Sequence, residues 1–148
     1  MHVRRQNGRM LIRPFQEADA DAVVALWQLC GLTRPWNNPH LDIARKLEVQ
    51  RELFLVGVDE GGSVVASAMG GYDGHRGWVN YLAVLPDARG AGHARALMDE
   101  LESLLLARGC PKLNLQVRGD NTEALAFYVA IGYGVDDAVS MGKRLIAD

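Results

Sequence analysis

The stretch Val84-Leu-Pro-Asp-Ala-Arg-Gly-Ala-Gly-His-Ala-Arg-Ala-Leu97 restricts this chain more than any other. An apolar run reaches Pro86, a short turn with Arg89 and two glycines, Gly90 and Gly92, among small residues follows, and an amphipathic helix then begins. A strand that passes into a helix through glycines leaves the first helical N–H groups without partners and without a side chain in front of them. The positive end of the helix dipole lies at the same place, so the turn is an anion site. Arg89 adds a planar charged donor suited to phosphate. The turn lacks the third glycine of the dinucleotide fingerprint and the Gly-Lys-Ser/Thr of a nucleoside-triphosphate loop. His93 is read as facing solvent, with a charged imidazole near the anion as the alternative.

A second segment, Asn121-Thr-Glu-Ala-Leu-Ala-Phe-Tyr128-Val-Ala-Ile-Gly132-Tyr133, follows the strand-like Leu113–Arg118. Asp120 or Asn121 suits a helix cap. Ala124, Leu125, Tyr128 and Ile131 recur on one helical face, and Gly132 suits the stop.

Together the two segments resemble the GNAT superfamily of N-acetyltransferases. Arg-Gly-Ala-Gly-His-Ala matches its Arg/Gln-x-x-Gly-x-Gly/Ala loop, and the second segment matches its Asn-x-x-Ala-x-x-x-Tyr-x-x-x-Gly-Phe/Tyr motif, about 30 residues later. With Arg34-Pro-Trp-Asn37, Gly70–Gly77 and Gly142-Lys-Arg-Leu145, the chain looks like the small bacterial single-domain YpeA-type branch. The resemblance covers roughly residues 10 to 146.

Composition agrees with one domain. The chain has 148 residues, 49% of them apolar and 23% charged, which describes a globular protein with a core of its own. A net charge of −2 gives no reason to expect nucleic acid or an anionic membrane as partner. Cys30 and Cys110 are far apart and have no metal-ligand spacing, so they read as free thiols in a reducing cytoplasm, and no metal is expected. Residues 1–9 read as a polar N-terminal extension and 10–148 as the domain.

Along that domain the pattern predicts a strand over 10–15, helices over 18–30 and from Asn38-Pro39 to about Arg51, and a hairpin of 53–58 with 64–72. Strand 78–85, the main helix 91–108, strand 112–118, helix 121–131 and a last strand near 139–146 follow. Hairpins first and alternating strands and helices later give an α+β, α/β/α-layered fold: a mixed, mostly antiparallel sheet flanked by helices. The GNAT layout is the same.

The resemblance implies acetyl-coenzyme A as co-substrate. It places the diphosphate on Arg89, Gly90, Ala91, Gly92, His93 and Ala94, the pantetheine arm along Leu82, Ala83 and Val84, and a further contact at Asn121. Tyr128 matches the tyrosine facing the coenzyme sulfur, and a phenol with an unperturbed pKa of about 10 can donate a proton at neutral pH. Acetyl would pass to a primary amine of a small molecule or a peptide by direct attack in a ternary complex. Relatives that acetylate protein N-termini often carry a glutamate five residues before the motif asparagine; here that position is Gln116, which cannot take a proton. Asp73, His75 and Tyr81 are substitutes by type. Arg34 and Trp36, with Tyr72, Asp73 and His75, are the acceptor-side candidates, against the reading that Trp36 and Tyr72 only close the core edge. A non-catalytic module that binds acyl-coenzyme A stays open, as does a homodimer.

Overall fold

The computed structural model describes residues 4–6, as backbone, and 10–148. Strands β1 (Arg4–Gln6), β2 (Met10–Pro14), β3 (Phe54–Val58), β4 (Val64–Tyr72), β5 (Gly77–Val84) and β6 (Leu113–Leu115) form one sheet in chain order. The first five run antiparallel; β6 lies parallel to β5. Helices α1 (Ala20–Leu29), α2 (Pro39–Leu47), α3 (His93–Ala107) and α4 (Thr122–Ala130) complete the order. Residues 4–6 pair with Met10–Ile12, so this part of the expected extension is an edge strand; the rest of residues 1–9 lies outside the described residues.

The sheet separates two apolar cores. On one face Trp27, Val23, Leu26 and Ile43 of α1 and α2 pack with Phe54, Val56 and Met69. On the other, Leu97, Met98, Leu101 and Leu105 of α3 pack with Leu55, Ala66, Ala68 and Val79, joined by Tyr128 and Tyr133. Alternation along β3, with Phe54 and Val56 facing one way and Leu55 the other, is what a strand buried on both faces requires. The layering expected from sequence is therefore present.

Local signals set the helix ends. Asn38 caps α2, its Oδ1 accepting from the N–H groups of His40 and Leu41 at 3.0 and 3.3 Å, and Pro39 starts it. Helix α2 stops at Leu47, short of Arg51, because Gln50 turns to φ +51° and its side chain bonds the Tyr72 N–H and C=O, both at 2.8 Å. Gly109, at φ +80°, ends α3.

Helix α3 approaches β4 closely because Gly70 has no side chain: a Cβ there would lie 2.3 Å from Leu101 Cδ1. Leu101 is fully buried. Replacing it with alanine should cost about 3 kcal/mol and lower Tm by about 9 °C, measured by calorimetry.

The expected last strand at 139–146 does not form. Residues 133–148 make no ladder with the sheet, and Val139, Met141, Leu145 and Ile146 are 64–91% exposed. Gly142 interrupts the alternation, and β6 is only three residues long, which leaves little edge to pair with. Side-chain contacts hold the segment instead: Asp136 to Lys112 and Asn114, Ser140 to Gln116, Arg144 to Asn37 and Asp148 to Arg45.

Candidate functional site

Two irregularities in β5 build the site. The first is a bulge. Ser67 pairs with Ala83 but Met69 pairs with Asn80, so β5 carries one extra residue against β4. Tyr81 absorbs it at φ +54°, an uncommon conformation for a bulky residue. The consequence is visible in the cores: Val79 belongs to the α3 side and Tyr81, two residues on, to the α1 side. A regular strand would keep both on one face.

Side chains fix this bulge from several directions. The Tyr81 ring stacks on Trp27 with centroids 3.7 Å apart. Trp27 Nε1–H donates to Ser67 Oγ at 2.9 Å, and the Ser67 hydroxyl donates to the Tyr81 carbonyl at 2.8 Å. Ser67 and Trp27 are fully buried, so each bond replaces water that is absent. The Tyr81 hydroxyl donates to Asp42 Oδ2 at 2.6 Å. Burial and that carboxylate push the Tyr81 phenol above its ordinary range.

The second irregularity is a seam. Strand β6 pairs with β5 only over Gly77–Val79. From Asn80 to Val84, β5 has no strand on that side among the described residues. The sheet splays there into a cleft of about 1830 Å³, lined by Asn80, Tyr81 and Leu82 on one wall and Asn114–Gln116, Asn121 and Tyr128 on the other.

Beyond β5 the chain makes a single turn of Pro86–Ala88 and reaches Gly90 and Gly92 at φ +85° and +81°. The first α3 bond runs from the Ala96 N–H to the Gly92 carbonyl. The amides ahead of Ala96 therefore precede the helical ladder. A Cβ added at Gly90 would meet nothing within 4 Å, so the turn is open to a ligand that comes close. His93 departs from its expected exposure. It is 8% exposed, and its Nδ1 has no hydrogen-bond partner. The reason is periodic: His93 lies on the stripe continued by Leu97, Leu101 and Leu105. Arg89 also differs. Its Nε donates to the Val84 carbonyl at 3.1 Å and its Nη2 to Cys30 Sγ at 3.5 Å, so it braces the end of β5.

Asn121 caps α4 by accepting from the Ala124 N–H at 3.1 Å while lining the cleft. Tyr128 sits on α4 against Phe127 and Tyr133, edge to face, with centroids 5.1 and 5.9 Å apart. Burial pushes its phenol up to about 12. Burial alone accounts for that shift, with no hydrogen bond to the hydroxyl contributing among the described residues. Gln116 lines the same wall and bonds Ser140.

The acceptor-side candidates divide. Arg34 and Trp36, in the α1–α2 loop, line the cleft. Tyr72, Asp73 and His75 do not. Tyr72 ends β4 and Asp73 and His75 lie in the β4–β5 turn, all before β5 starts, and β5 itself runs about 23 Å from Gly77 to Val84 at 3.3 Å per residue. Asp73 Oδ1 accepts from the N–H groups of His75 and Arg76 at 2.8 and 2.7 Å, a turn-closing role, and the Tyr72 hydroxyl reaches the carbonyls of Gly74 and Gly109. Two residues absent from the sequence reading line the cleft instead: Asp42 and Arg45, on α2. Their spacing of three on one helical face was the available signal. No cluster with metal-ligand chemistry exists among the described residues.

The unpaired stretch of β5 and the α4 wall that carries Tyr128 border one cleft; Arg89 to Ala94, in the turn that follows β5, are not among the residues that line it. The sequence profile of the Acetyltransferase (GNAT) family matches residues 19–133, and the chain belongs to that family. It is 52% identical to an acetyltransferase of Yersinia enterocolitica serotype O:8 over 139 residues, covering 94% of this chain and 98% of that protein. An acetyltransferase of Sodalis glossinidius is 53% identical over 140 residues, with the same coverage. Among solved structures, Ard1 from Thermoplasma volcanium superposes with a TM-score of 0.73 at 26% identity, over 86% of this chain and 84% of that one. An aminoglycoside 6'-N-acetyltransferase from Acinetobacter baumannii shares the fold, with a TM-score of 0.71 at 22% identity over 93% and 99%. No helix among the described residues is long and apolar enough to cross a membrane.

Proposed function

We infer that this acetyltransferase moves the acetyl group of acetyl-coenzyme A to a primary amine by direct attack within a ternary complex. The observation that carries the reading is the gap between β5 and β6, with a half-buried phenol on the wall opposite the bulge. The diphosphate would rest at the turn from Arg89 to Ala94, where two glycines and a helix N-terminus coincide. The pantetheine arm would extend β5 as a strand would, pairing with backbone groups of Leu82, Ala83 and Val84, and Asn121 would border the coenzyme from α4.

In the reaction the neutral amine attacks the thioester carbonyl carbon. The carbon–nitrogen bond forms, and the oxyanion accepts a backbone N–H from the bulged strand. The carbon–sulfur bond then breaks, and Tyr128 supplies the proton to the departing sulfur. The amide nitrogen releases its proton to water, which restores the phenol. Tyr128 is suited to this part because burial keeps it protonated, and for the same reason it is a poor base. Arg34 and Trp36 border the acceptor. An α-amine, with a pKa near 8, is partly neutral at physiological pH and needs little help.

Agreement along 94% of this chain and 98% of a curated relative supports the single-domain YpeA-type branch, with residues 10–148 acting as one catalytic domain. Cys30 and Cys110 are unpaired, which supports a cytoplasmic setting. Gln116 favours a second reading, an acyl-coenzyme A sensor without turnover, because the position that holds a carboxylate in some relatives holds an amide here. Free-thiol release from acetyl-coenzyme A, measured across a panel of primary amines, tests the assignment. Amine-dependent release is expected; coenzyme binding by calorimetry with no release for any amine would favour the sensor.

A further inference from the structure

On the acceptor side, α2 carries a charge arrangement that acetyl transfer as such does not require. Arg45 directs Nη2 and Nη1 at the two carboxylate oxygens of Asp148, at 2.8 and 3.2 Å. The Asn38 N–H, at the capped start of α2, lies 3.4 Å from Asp148 Oδ2. This two-pronged contact is the geometry in which a guanidinium binds a carboxylate most strongly and most selectively. Asp148 is an exposed residue, and the segment that delivers it has no regular structure.

Beside Arg45 sits the opposite charge. Asp42 Oδ1 is 3.7 Å from Arg45 Nη1, and Asp42 Oδ2 holds the hydroxyl of Tyr81, the bulge residue next to the strand amides. Asp42, Arg45 and Tyr81 all line the cleft. A guanidinium that already grips a carboxylate, with a second carboxylate adjoining it on the side of the bulge, is the complement of a molecule with a carboxylate and an ammonium a few bonds apart.

We propose that Arg45 and the Asn38 N–H form a carboxylate-binding subsite for the acceptor, filled in this structure by the protein's own Asp148. The acceptor is a small amino acid whose carboxylate replaces that of Asp148 and whose nitrogen docks on Asp42 beside Tyr81 as the ammonium, giving a proton to water before it attacks as the neutral amine. This narrows the acetyl-transfer reading and rests on it. Displacement of Asp148 is easy to arrange physically. Leu145 and Ile146, just before it, are 87% and 64% exposed, so apolar burial does little to hold the segment down. Asp148 then acts as a tethered competitor whose effective concentration an acceptor must overcome.

The test measures thiol release from acetyl-coenzyme A with L-alanine, L-serine and L-phenylalanine, each against its own amide. The wild type should prefer acids over amides by at least about tenfold in kcat/KM, the effect of one charge-assisted pair. Arg45→Met, which keeps the aliphatic stem, should bring the acid-to-amide ratio of kcat/KM down to about one, which a general loss of activity would not do. Asp148→Asn should lower KM for the acids severalfold and for the amides by less. Equal use of acids and amides by the wild type, or acid KM values indifferent to Asp148→Asn, would make the Arg45–Asp148 contact an intrachain latch only and overturn the proposal. If no amine is turned over, the acetyl-transfer reading fails separately, and calorimetry with succinate decides the subsite. Binding to Asp148→Asn that disappears in the Asp148→Asn/Arg45→Met protein sustains it; no binding to either refutes it.

Discussion

Tyr128→Phe should lower kcat by about 100-fold, the usual scale of a lost general acid, while KM for acetyl-coenzyme A changes by less than about threefold. The substitution is clean for structural reasons. Among the described residues no hydrogen bond to the Tyr128 hydroxyl contributes to its shift, so removing it orphans no buried donor or acceptor. The ring keeps its edge-to-face contacts with Phe127 and Tyr133, and Tm should move by no more than about 2 °C. The pH profile adds a second readout. With its phenol pushed up to about 12, Tyr128 stays protonated through the alkaline range in which an ordinary tyrosine, near 10, would ionise. The wild-type kcat should therefore show no alkaline fall through about pH 10 that Tyr128→Phe removes. Full turnover in the variant would assign the proton to another group, with a water in the cleft as the first candidate.

Much of this architecture could be read from residue order, because local rules carried it. The α3 stripe of Leu97, Leu101 and Leu105, the Asn38-Pro39 start of α2 and the glycine turn after Pro86 each depend on neighbours in sequence. The same stripe, followed one turn back, also contains His93; reading that histidine as solvent-facing weighed its polarity above its position. The bulge was not legible. Tyr81 at φ +54° is held by Trp27, Ser67 and Asp42, which come from three other elements, and nothing in Asn80-Tyr81-Leu82 announces a left-handed residue.

Direction along a strand explains another difference. Asp73 and His75 have the chemistry of an acceptor site, but they precede β5 whereas the anion turn follows it, so the length of the strand separates them from the reaction. Gly142 and the three-residue β6 explain the missing last strand, since alternating residues make a strand only where an edge exists to receive them. Arg45 and Asp148 are 103 residues apart, beyond the reach of any periodicity.

Gly92→Val is expected to raise KM for acetyl-coenzyme A by about 30-fold, the equivalent of about 2 kcal/mol of binding, with kcat changed far less. Gly92 stands at φ +81° as the residue before α3, where a β-branched side chain is strained by about 1–2 kcal/mol. Relief of that strain turns the amides from Gly92 onward away from the direction in which Gly90 and Gly92 now present them. A loss of binding could also follow from general destabilisation, and Gly62→Ala controls for it. Gly62 has nearly the same φ, +84°, with open space around its Cβ position, and it lies in the β3–β4 turn rather than at a helix start. Both variants should lose stability through strain in the same backbone region, but only Gly92→Val should lose affinity for the coenzyme. Calorimetric titration with desulfo-coenzyme A and with coenzyme A lacking the diphosphate locates the effect: Gly92→Val should weaken the first and leave the already weak second unchanged. Equal weakening of both would move the diphosphate away from this turn, and with it the direction in which the acyl chain enters the cleft.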